Sequence, residues 1–154
     1  ASAWTDDIPD LIADDRAAAL LKKIKPFEQI LWDVLRNRKD IPLTIRPKAN
    51  EILVHGHCHQ KSIYGMDAVK SIFAMWPEVK YTEIDSGCCG MAGSFGYETK
   101  HFEVSRKMAE RVLVPTIEDH PDALLVANGF SCRHQIADFA GREAIHIAQA
   151  FEMI

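Results

Sequence analysis

The chain has 154 residues, of which 47% are hydrophobic, and this is enough for a compact domain with a hydrophobic core. Its formal net charge is −4 and its Lys and Arg residues are scattered, so we expect no nucleic-acid partner. No apolar run approaches the ~20 residues that cross a bilayer, and the N-terminus lacks the basic-then-apolar pattern of a secretory signal. We therefore expect an intracellular protein without a transmembrane segment.

Helical spacing dominates the first part of the chain. Between Asp14 and Lys39, apolar residues recur every three or four positions, and Pro26 predicts either two helices or one kinked helix. Asp40 to Asn50 is proline-containing and predicts a connection, in which Leu43-Thr44-Ile45 could form a short extended segment.

An alternation of strands and helices follows. Short apolar runs predict buried strands at Glu51–His55, Val79–Ile84 and Ala123–Ala127. Helical patterns come after each run, at Gln60–Met75, Glu98–Val114 and Cys132–Phe139, the last ended by Gly141. The predicted fold class is α/β, a three-layer Rossmann-like parallel sheet of about three to four strands with flanking helices. We assign residues 1–49 to an N-terminal helical segment and linker, and residues 50–154 to the α/β domain.

Each of the four cysteines follows a predicted strand by a few residues. Cys58 follows the first strand, Cys88 and Cys89 the second, and Cys132 the third. Because loops at the carboxyl ends of parallel strands meet at one edge of the sheet, we expect the thiols to converge there. Thiolates gathered in one place repel each other unless a cation or cluster takes up their charge, and sulfur ligands suit zinc or iron–sulfur units. The sequence therefore predicts a metal site.

Glycines recur in the loop that carries the cysteine pair. The amides of Gly87, Gly90 and Gly93 are unobstructed by side chains and could donate to cluster sulfurs, which would raise the potential of a negatively charged cluster. A plain tight turn is the alternative. The loop has neither the Gly-Lys-Ser/Thr ending of a phosphate loop nor a dinucleotide-binding Gly-x-Gly-x-x-Gly pattern.

Histidines surround the first cysteine. His55, His57 and His59 alternate around Cys58, and His134 lies near the last cysteine. Imidazole could complete a zinc site or carry protons. The alternative is a histidine that is hydrogen-bonded at a strand end or helix start, and the sequence does not decide between these roles.

Three segments together resemble the cysteine-rich CCG domain. They are His57-Cys58-His59, the loop from Gly87 through Cys88-Cys89-Gly90 to Gly96, and Ala127 to Ile136. That domain occurs in the B subunit of heterodisulfide reductase, in the iron–sulfur subunits of glycolate oxidase and anaerobic glycerol-3-phosphate dehydrogenase, and in FAD-linked iron–sulfur oxidoreductases. The resemblance covers about Ile52 to Ile145 and is closest to the C-terminal part of the D-lactate or D-2-hydroxyglutarate dehydrogenase type.

The resemblance implies an iron–sulfur electron-transfer module. Cys58, Cys88, Cys89 and Cys132 would hold the cluster, of the 4Fe-4S type, and the glycine loop would tune its potential. A 2-hydroxy acid would be oxidised at FAD in a separate domain, and electrons would pass to an acceptor such as a quinone. The implied partners are FAD-binding and ferredoxin-like domains of the same polypeptide or complex. The implied location is the cytoplasm or the inner membrane face, and this chain alone is not expected to turn over substrate.

The chain departs from the family pattern in two respects. The pattern usually ends in Cys-x-x-Cys, and Gly129 takes the first of those positions here. A complete domain usually holds two such repeats and this chain holds one, so we expect it to be the second repeat of a longer protein. Two alternatives stay open: a zinc-binding structural module, and a dithiol/disulfide oxidoreductase that works through Cys88 and Cys89.

Overall fold

The computed structural model describes residues 2–12, 14–37 and 45–154. It divides into two compact units. The helical unit comprises Ala1–Leu43 and His59–Ile72, and the sheet unit comprises Thr44–Cys58 and Phe73–Ile154.

The helical unit contains short helices. They are α1 (Ser2–Asp6), α2 (Ile8–Leu11), α3 (Asp15–Leu21), α4 (Phe27–Asn37), α5 (Cys58–Ile63) and α6 (Asp67–Phe73), of which the first residue of α5 and the last of α6 belong to the sheet unit. The Asp14 side chain caps α3 by accepting a hydrogen bond of 2.7 Å from the Arg16 N–H. A non-helical turn separates α3 from α4, so the predicted break near Pro26 produces two helices.

The single helix predicted over Gln60–Met75 is two helices in the structure. Gly65 lies between α5 and α6 with a φ of 70°, in the left-handed region that glycine adopts without steric cost. The apolar periodicity continues across this break, and the sequence pattern alone therefore did not reveal it. Leu43 and Thr44 of the predicted extended segment lie outside the described residues, whereas Ile45 begins a strand.

A three-stranded parallel sheet forms the centre of the sheet unit. Its strands are β2 (Glu51–His55), β3 (Lys80–Glu83) and β4 (Leu124–Ala127), in the order β3-β2-β4. In the register of the sheet, Ile52 pairs with Tyr81 on one side and with Leu124 on the other. Strands β1 (Ile45–Pro47) and β5 (Phe151–Met153) form a separate antiparallel pair. The predicted α/β class, with a parallel sheet and flanking helices, is confirmed.

Three helices of the sheet unit follow the cysteine-bearing loops or connect them. They are α7 (Phe102–Arg111), α8 (Leu113–Glu118) and α9 (Phe130–Ala140), with 3-10 turns at Phe95–Tyr97 and Ile147–Gln149. The predicted helix over Glu98–Val114 starts later and breaks at Val112, whose φ of −143° and ψ of −45° are not helical. Helix α9 begins at Phe130, earlier than predicted, and Gly141 ends it with a φ of 61°, as predicted.

The core lies on the face of the sheet that α8 and α9 cover. Leu53 of β2 and Leu125 and Ala127 of β4 point to this face, where side chains alternate along each strand. They pack against Leu113, Ile117, Cys132 and Ile136 of the two helices. On the other face the Phe73 ring stacks on Tyr81 and Phe151, with centroid separations of 5.3 and 5.5 Å. None of the helices in the described part of the chain has the length and apolar character that spanning a bilayer requires.

Candidate metal centre

The sheet topology gathers four thiols. Cys58 begins α5 just after β2, Cys88 and Cys89 lie in the loop after β3, and Cys132 is in the first turn of α9 after β4. All four are free cysteines; Cys89 and Cys132 are buried, with 4% and 1% of their surface exposed, and Cys58 and Cys88 are half-buried. The carboxyl ends of the three parallel strands thus bring together residues that are far apart in sequence.

The thiols interact in two pairs. Cys88 is hydrogen-bonded to Cys58, and Cys89 is hydrogen-bonded to Cys132. The charges of Cys58 and Cys88 also act on the pKa of Cys132, so the two pairs belong to one cluster of sulfur atoms. Although Cys88 and Cys89 are adjacent in sequence, they are hydrogen-bonded to different cysteines, while the charge of Cys89 also raises the pKa of Cys88.

His55 joins the buried pair of cysteines. A ring nitrogen of His55 and the Sγ atoms of Cys89 and Cys132 all lie within 4.8 Å of one another. The histidine is 1% exposed, and its Nδ1 is 2.8 Å from the Oγ of Ser86. Its Nε2 is buried and has no nitrogen or oxygen partner among the described residues, and the His55 side chain is hydrogen-bonded to Cys89. This group of one imidazole and two thiols can hold a metal ion.

The electrostatics of the cluster favour one early-ionising thiol. The hydrogen bond from Cys132 is the largest cause that lowers the pKa of Cys89, which falls to about 4. Burial alone would raise this pKa, whereas hydrogen bonds with the His55 ring and the Met91 N–H lower it further. The same hydrogen bond, together with burial and the neighbouring sulfur charges, raises the pKa of Cys132. Burial also raises the pKa of Cys88, against the effect of the Gly90 N–H. A thiolate at Cys89 thus makes further ionisation costly unless a cation is present.

In the predicted glycine loop, Gly90 donates a backbone hydrogen bond to a cysteine sulfur. The Gly90 N–H donates to the Sγ of Cys88 at 3.4 Å, and its φ is 99°. A Cβ at Gly90 would lie 2.4 Å from the carbonyl oxygen of Ser105. By contrast, a Cβ at Gly93 would meet no atom within 4 Å, and one at Gly87 would lie 3.6 Å from Nη2 of Arg111. The N–H groups of Gly90 and Met91 thus donate to the sulfurs of Cys88 and Cys89, which is the kind of contact that the sequence predicted for the loop.

Gln135 connects the cysteine loop with α7. This buried side chain donates from Nε2 to the carbonyl oxygen of Cys89 at 2.9 Å, and to the carbonyl and hydroxyl oxygens of Ser105 at 3.1 and 2.9 Å. The sequence left a metal role for His55 open, and we did not predict Ser86, Gln135 or Ser105 as site residues. The spacing of Gln135, one helical turn beyond Cys132 on the same face, was a signal that could have found it.

Gly129 lies against His57 and Cys132. A Cβ at this position would be 2.3 Å from Cδ2 of the His57 ring and 2.8 Å from the Sγ of Cys132. His57 is therefore near the cluster, as is His55. His134 is exposed and its ring packs on Phe130 at a centroid distance of 4.3 Å, and His59 belongs to the helical unit.

The chain is similar to segments of curated dehydrogenases. It is 27% identical over 138 residues to the C subunit of anaerobic glycerol-3-phosphate dehydrogenase from Escherichia coli K12, a match that covers 87% of this chain and 33% of that protein. It is also 31% identical over 101 residues to D-2-hydroxyglutarate dehydrogenase of Escherichia coli K12, covering 62% of this chain and 9% of that protein. Identity to the D-2-hydroxyglutarate dehydrogenase of Pantoea ananatis is 37% over 71 residues, or 46% of this chain and 7% of that one.

These similarities indicate an oxidoreductase module. The chain spans a third or less of the length of each of these relatives. No protein-family model matches the chain. No solved structure matches it either.

Proposed function

We propose that this chain is an iron–sulfur-binding electron-transfer module of a larger oxidoreductase, with Cys58, Cys88, Cys89 and Cys132 as the cluster ligands. The observation that carries the proposal is the convergence of four free thiols, from three separate loops, at the carboxyl edge of one parallel sheet. Burial and close packing of thiols are unfavourable for thiolates by themselves, and a bound metal removes that cost.

The donor set fits such a group. Its atoms are thiol sulfurs and one buried imidazole nitrogen, which suit zinc and iron–sulfur centres and do not suit the hard cations that prefer oxygen. The amides of Gly90 and Met91 donate toward Cys88 and Cys89, and hydrogen bonds to ligand sulfur raise the potential of a cluster. In this proposal the amides of Gly87 and Gly93 also donate to cluster sulfurs.

The residues around the proposed cluster differ in how far they are exposed to solvent. When bound, an iron–sulfur cluster supplies a one-electron carrier. The buried side chains of Cys89, Cys132 and His55 exclude water from one side of the site. The half-buried Cys88 borders a cleft that is also lined by Val104, Lys107, Met108 and Arg111, so that this side is the accessible one for electron exchange.

The larger context of the proposal comes from the similar proteins. Their names describe dehydrogenases of glycerol-3-phosphate and of D-2-hydroxyglutarate. We propose that the present module serves a 2-hydroxy-acid oxidation that occurs at FAD in another domain, and that ferredoxin-like centres and an acceptor such as a quinone complete the electron path. The module would be cytoplasmic or peripheral at the inner membrane face, and its cluster would be of the 4Fe-4S type.

Zinc is the second candidate. The separation of at most 4.8 Å among the donor atoms of His55, Cys89 and Cys132 is compatible with a single ion, which favours a structural zinc module.

Anaerobic reconstitution with iron and sulfide distinguishes the two candidates. A brown protein with iron and sulfide in equal amounts supports the cluster. A protein that remains colourless and retains one zinc after exposure to both metals supports the zinc module and contradicts the cluster.

A further inference from the structure

We propose that His55 is a metal ligand that binds through Nε2, and that Ser86 is the positioning residue that holds the imidazole in the required tautomer. This inference rests on the proposed function, because it assumes that the cysteines hold a metal. It adds a nitrogen ligand to a site for which the four cysteines alone would supply only sulfur ligands.

The first support is the state of the Nε2 atom. His55 is 1% exposed, Nε2 has no nitrogen or oxygen partner among the described residues, and the His55 side chain is hydrogen-bonded to the sulfur of Cys89. A buried imidazole that faces sulfur in this way can exchange that weak hydrogen bond for a bond to a metal. The sulfurs of Cys89 and Cys132 lie within 4.8 Å of a ring nitrogen of His55, and a metal ion between them would satisfy all three.

The second support is the hydrogen bond at the opposite side of the ring. Nδ1 lies 2.8 Å from the Oγ of Ser86, and the hydroxyl can accept a proton from Nδ1. A ring that is protonated at Nδ1 presents a lone pair at Nε2. Metal-bound histidines regularly donate their other ring N–H to a neighbouring acceptor in this way.

The third support is the size of the space. Metal–ligand bonds of about 2.3 Å to sulfur and about 2.0 Å to nitrogen place tetrahedral donors about 3.5 Å apart. The donors in the structure lie within 4.8 Å of one another, so that small side-chain movements bring them to bonding distance. For a single tetrahedral ion, either Cys58 or Cys88 can supply the one remaining position.

The experiment measures X-ray absorption of the full chain at the absorption edge of the metal that the chain retains. That metal is iron after anaerobic reconstitution with iron and sulfide, or zinc after addition of Zn²⁺. The wild type is expected to show sulfur scattering with a nitrogen shell and the outer-shell scattering of one imidazole. His55→Gln is expected to lose the imidazole signal. The matched control, His134→Ala, removes an exposed histidine two residues from Cys132 and is expected to keep it.

Ser86→Ala provides a test that keeps the imidazole. Loss of the Nδ1 acceptor is expected to weaken metal affinity by roughly 10–100-fold, as for other residues that orient a ligand, without removing the imidazole signal. This variant decides the matter if circular dichroism shows that His55→Gln does not fold, and an unchanged metal affinity would then overturn the proposal.

The remaining outcomes separate the two proposals. A wild-type chain that retains neither metal overturns both of them. A loaded wild type with sulfur scattering only, or an imidazole signal that persists in His55→Gln, overturns the assignment of His55 and leaves the cysteine centre in place.

Discussion

Gly129 and His57 are so close that residue 129 has no space for a side chain. A Cβ there would lie 2.3 Å from Cδ2 of His57 and 2.8 Å from the Sγ of Cys132. The CCG pattern that the sequence resembles usually has a cysteine at this position, and in this structure the imidazole of His57 lies where the Cβ of such a cysteine would be.

This relationship predicts a strong coupling between the two positions. Gly129→Ala should lower the free energy of unfolding by about 1–3 kcal/mol, because a methyl group would collide with the ring. Adding His57→Ala should recover part of that loss, since the closest contact is then removed and the 2.8 Å contact with the Sγ of Cys132 remains. Urea denaturation of the two single variants and the double variant measures the coupling, and strictly additive effects would contradict it.

The two positive-φ glycines of the cysteine loop should differ sharply in their tolerance of alanine. Gly90→Ala combines a φ of 99° with a contact of 2.4 Å to the Ser105 carbonyl oxygen, and we expect a loss of about 3 kcal/mol or more. Gly93→Ala has a φ of 69° in open space, and its cost should be about 1–2 kcal/mol. Thermal unfolding of both variants tests this, and equal losses would show that the contact with Ser105 is unimportant.

Removal of one buried sulfur should affect metal content much more than removal of a histidine elsewhere in the same unit. Cys89→Ser should lose most of the iron bound after reconstitution, because the early-ionising thiol is lost from the cluster. His101→Ala is the control, since this ring stacks on Phe95 at 4.0 Å and is not part of the thiol cluster. Iron analysis that gives equal values for the two variants would remove Cys89 from the ligand set.

Oxidation of the metal-free chain should follow the observed thiol pairs. Because Cys88 is hydrogen-bonded to Cys58 and Cys89 to Cys132, mild oxidation should link residues across loops. A link between neighbouring cysteines closes a strained ring and should be disfavoured. Peptide mapping by mass spectrometry detects the cross-loop links, and a bond confined to Cys88 and Cys89 would support the dithiol alternative instead.

The helical unit should show a pH-dependent stability that originates from Glu28. This carboxyl group is buried, and burial raises its pKa above the usual 4.5. A raised pKa in the folded state stabilises the fold below the unfolded-state pKa, and this contribution is lost as the pH rises through the folded-state pKa. Glu28→Gln should therefore increase the free energy of unfolding at pH 7, with a smaller gain near pH 4.

Denaturant unfolding at the two pH values measures this difference. The exposed Glu143→Gln is the control and should change stability little at either pH. A Glu28→Gln variant that is less stable than the wild type at pH 7 would contradict the proposed cost of burying the charge.

The sequence was most informative where local chemistry determines local structure. The apolar run from Glu51 to His55 predicted β2 with its observed limits, and Gly141 predicted the end of α9. The breaks at Gly65 and Val112 were missed because apolar periodicity continues through them. The convergence of the thiols was predictable from topology, because strand order alone places the loops together.

The side-chain contacts around the cysteines could not be predicted from the sequence pattern. His55 meets Ser86 across 31 positions, and Gln135 meets Cys89 across 46. Such contacts depend on side-chain directions in the folded core, which no local pattern specifies. Each of these residues also has an ordinary structural role available, so its type alone does not indicate the site.

Gln135 makes the cysteine loop and α7 mechanically dependent on each other. One amide group holds the carbonyl oxygen of Cys89 and both oxygens of Ser105, so a displacement of the loop withdraws support from the middle of α7. Amide hydrogens of α7 should then exchange with deuterium faster in the metal-free chain than in the loaded one. Occupancy of a buried centre would in this way change the local stability of a helix whose outer side faces solvent.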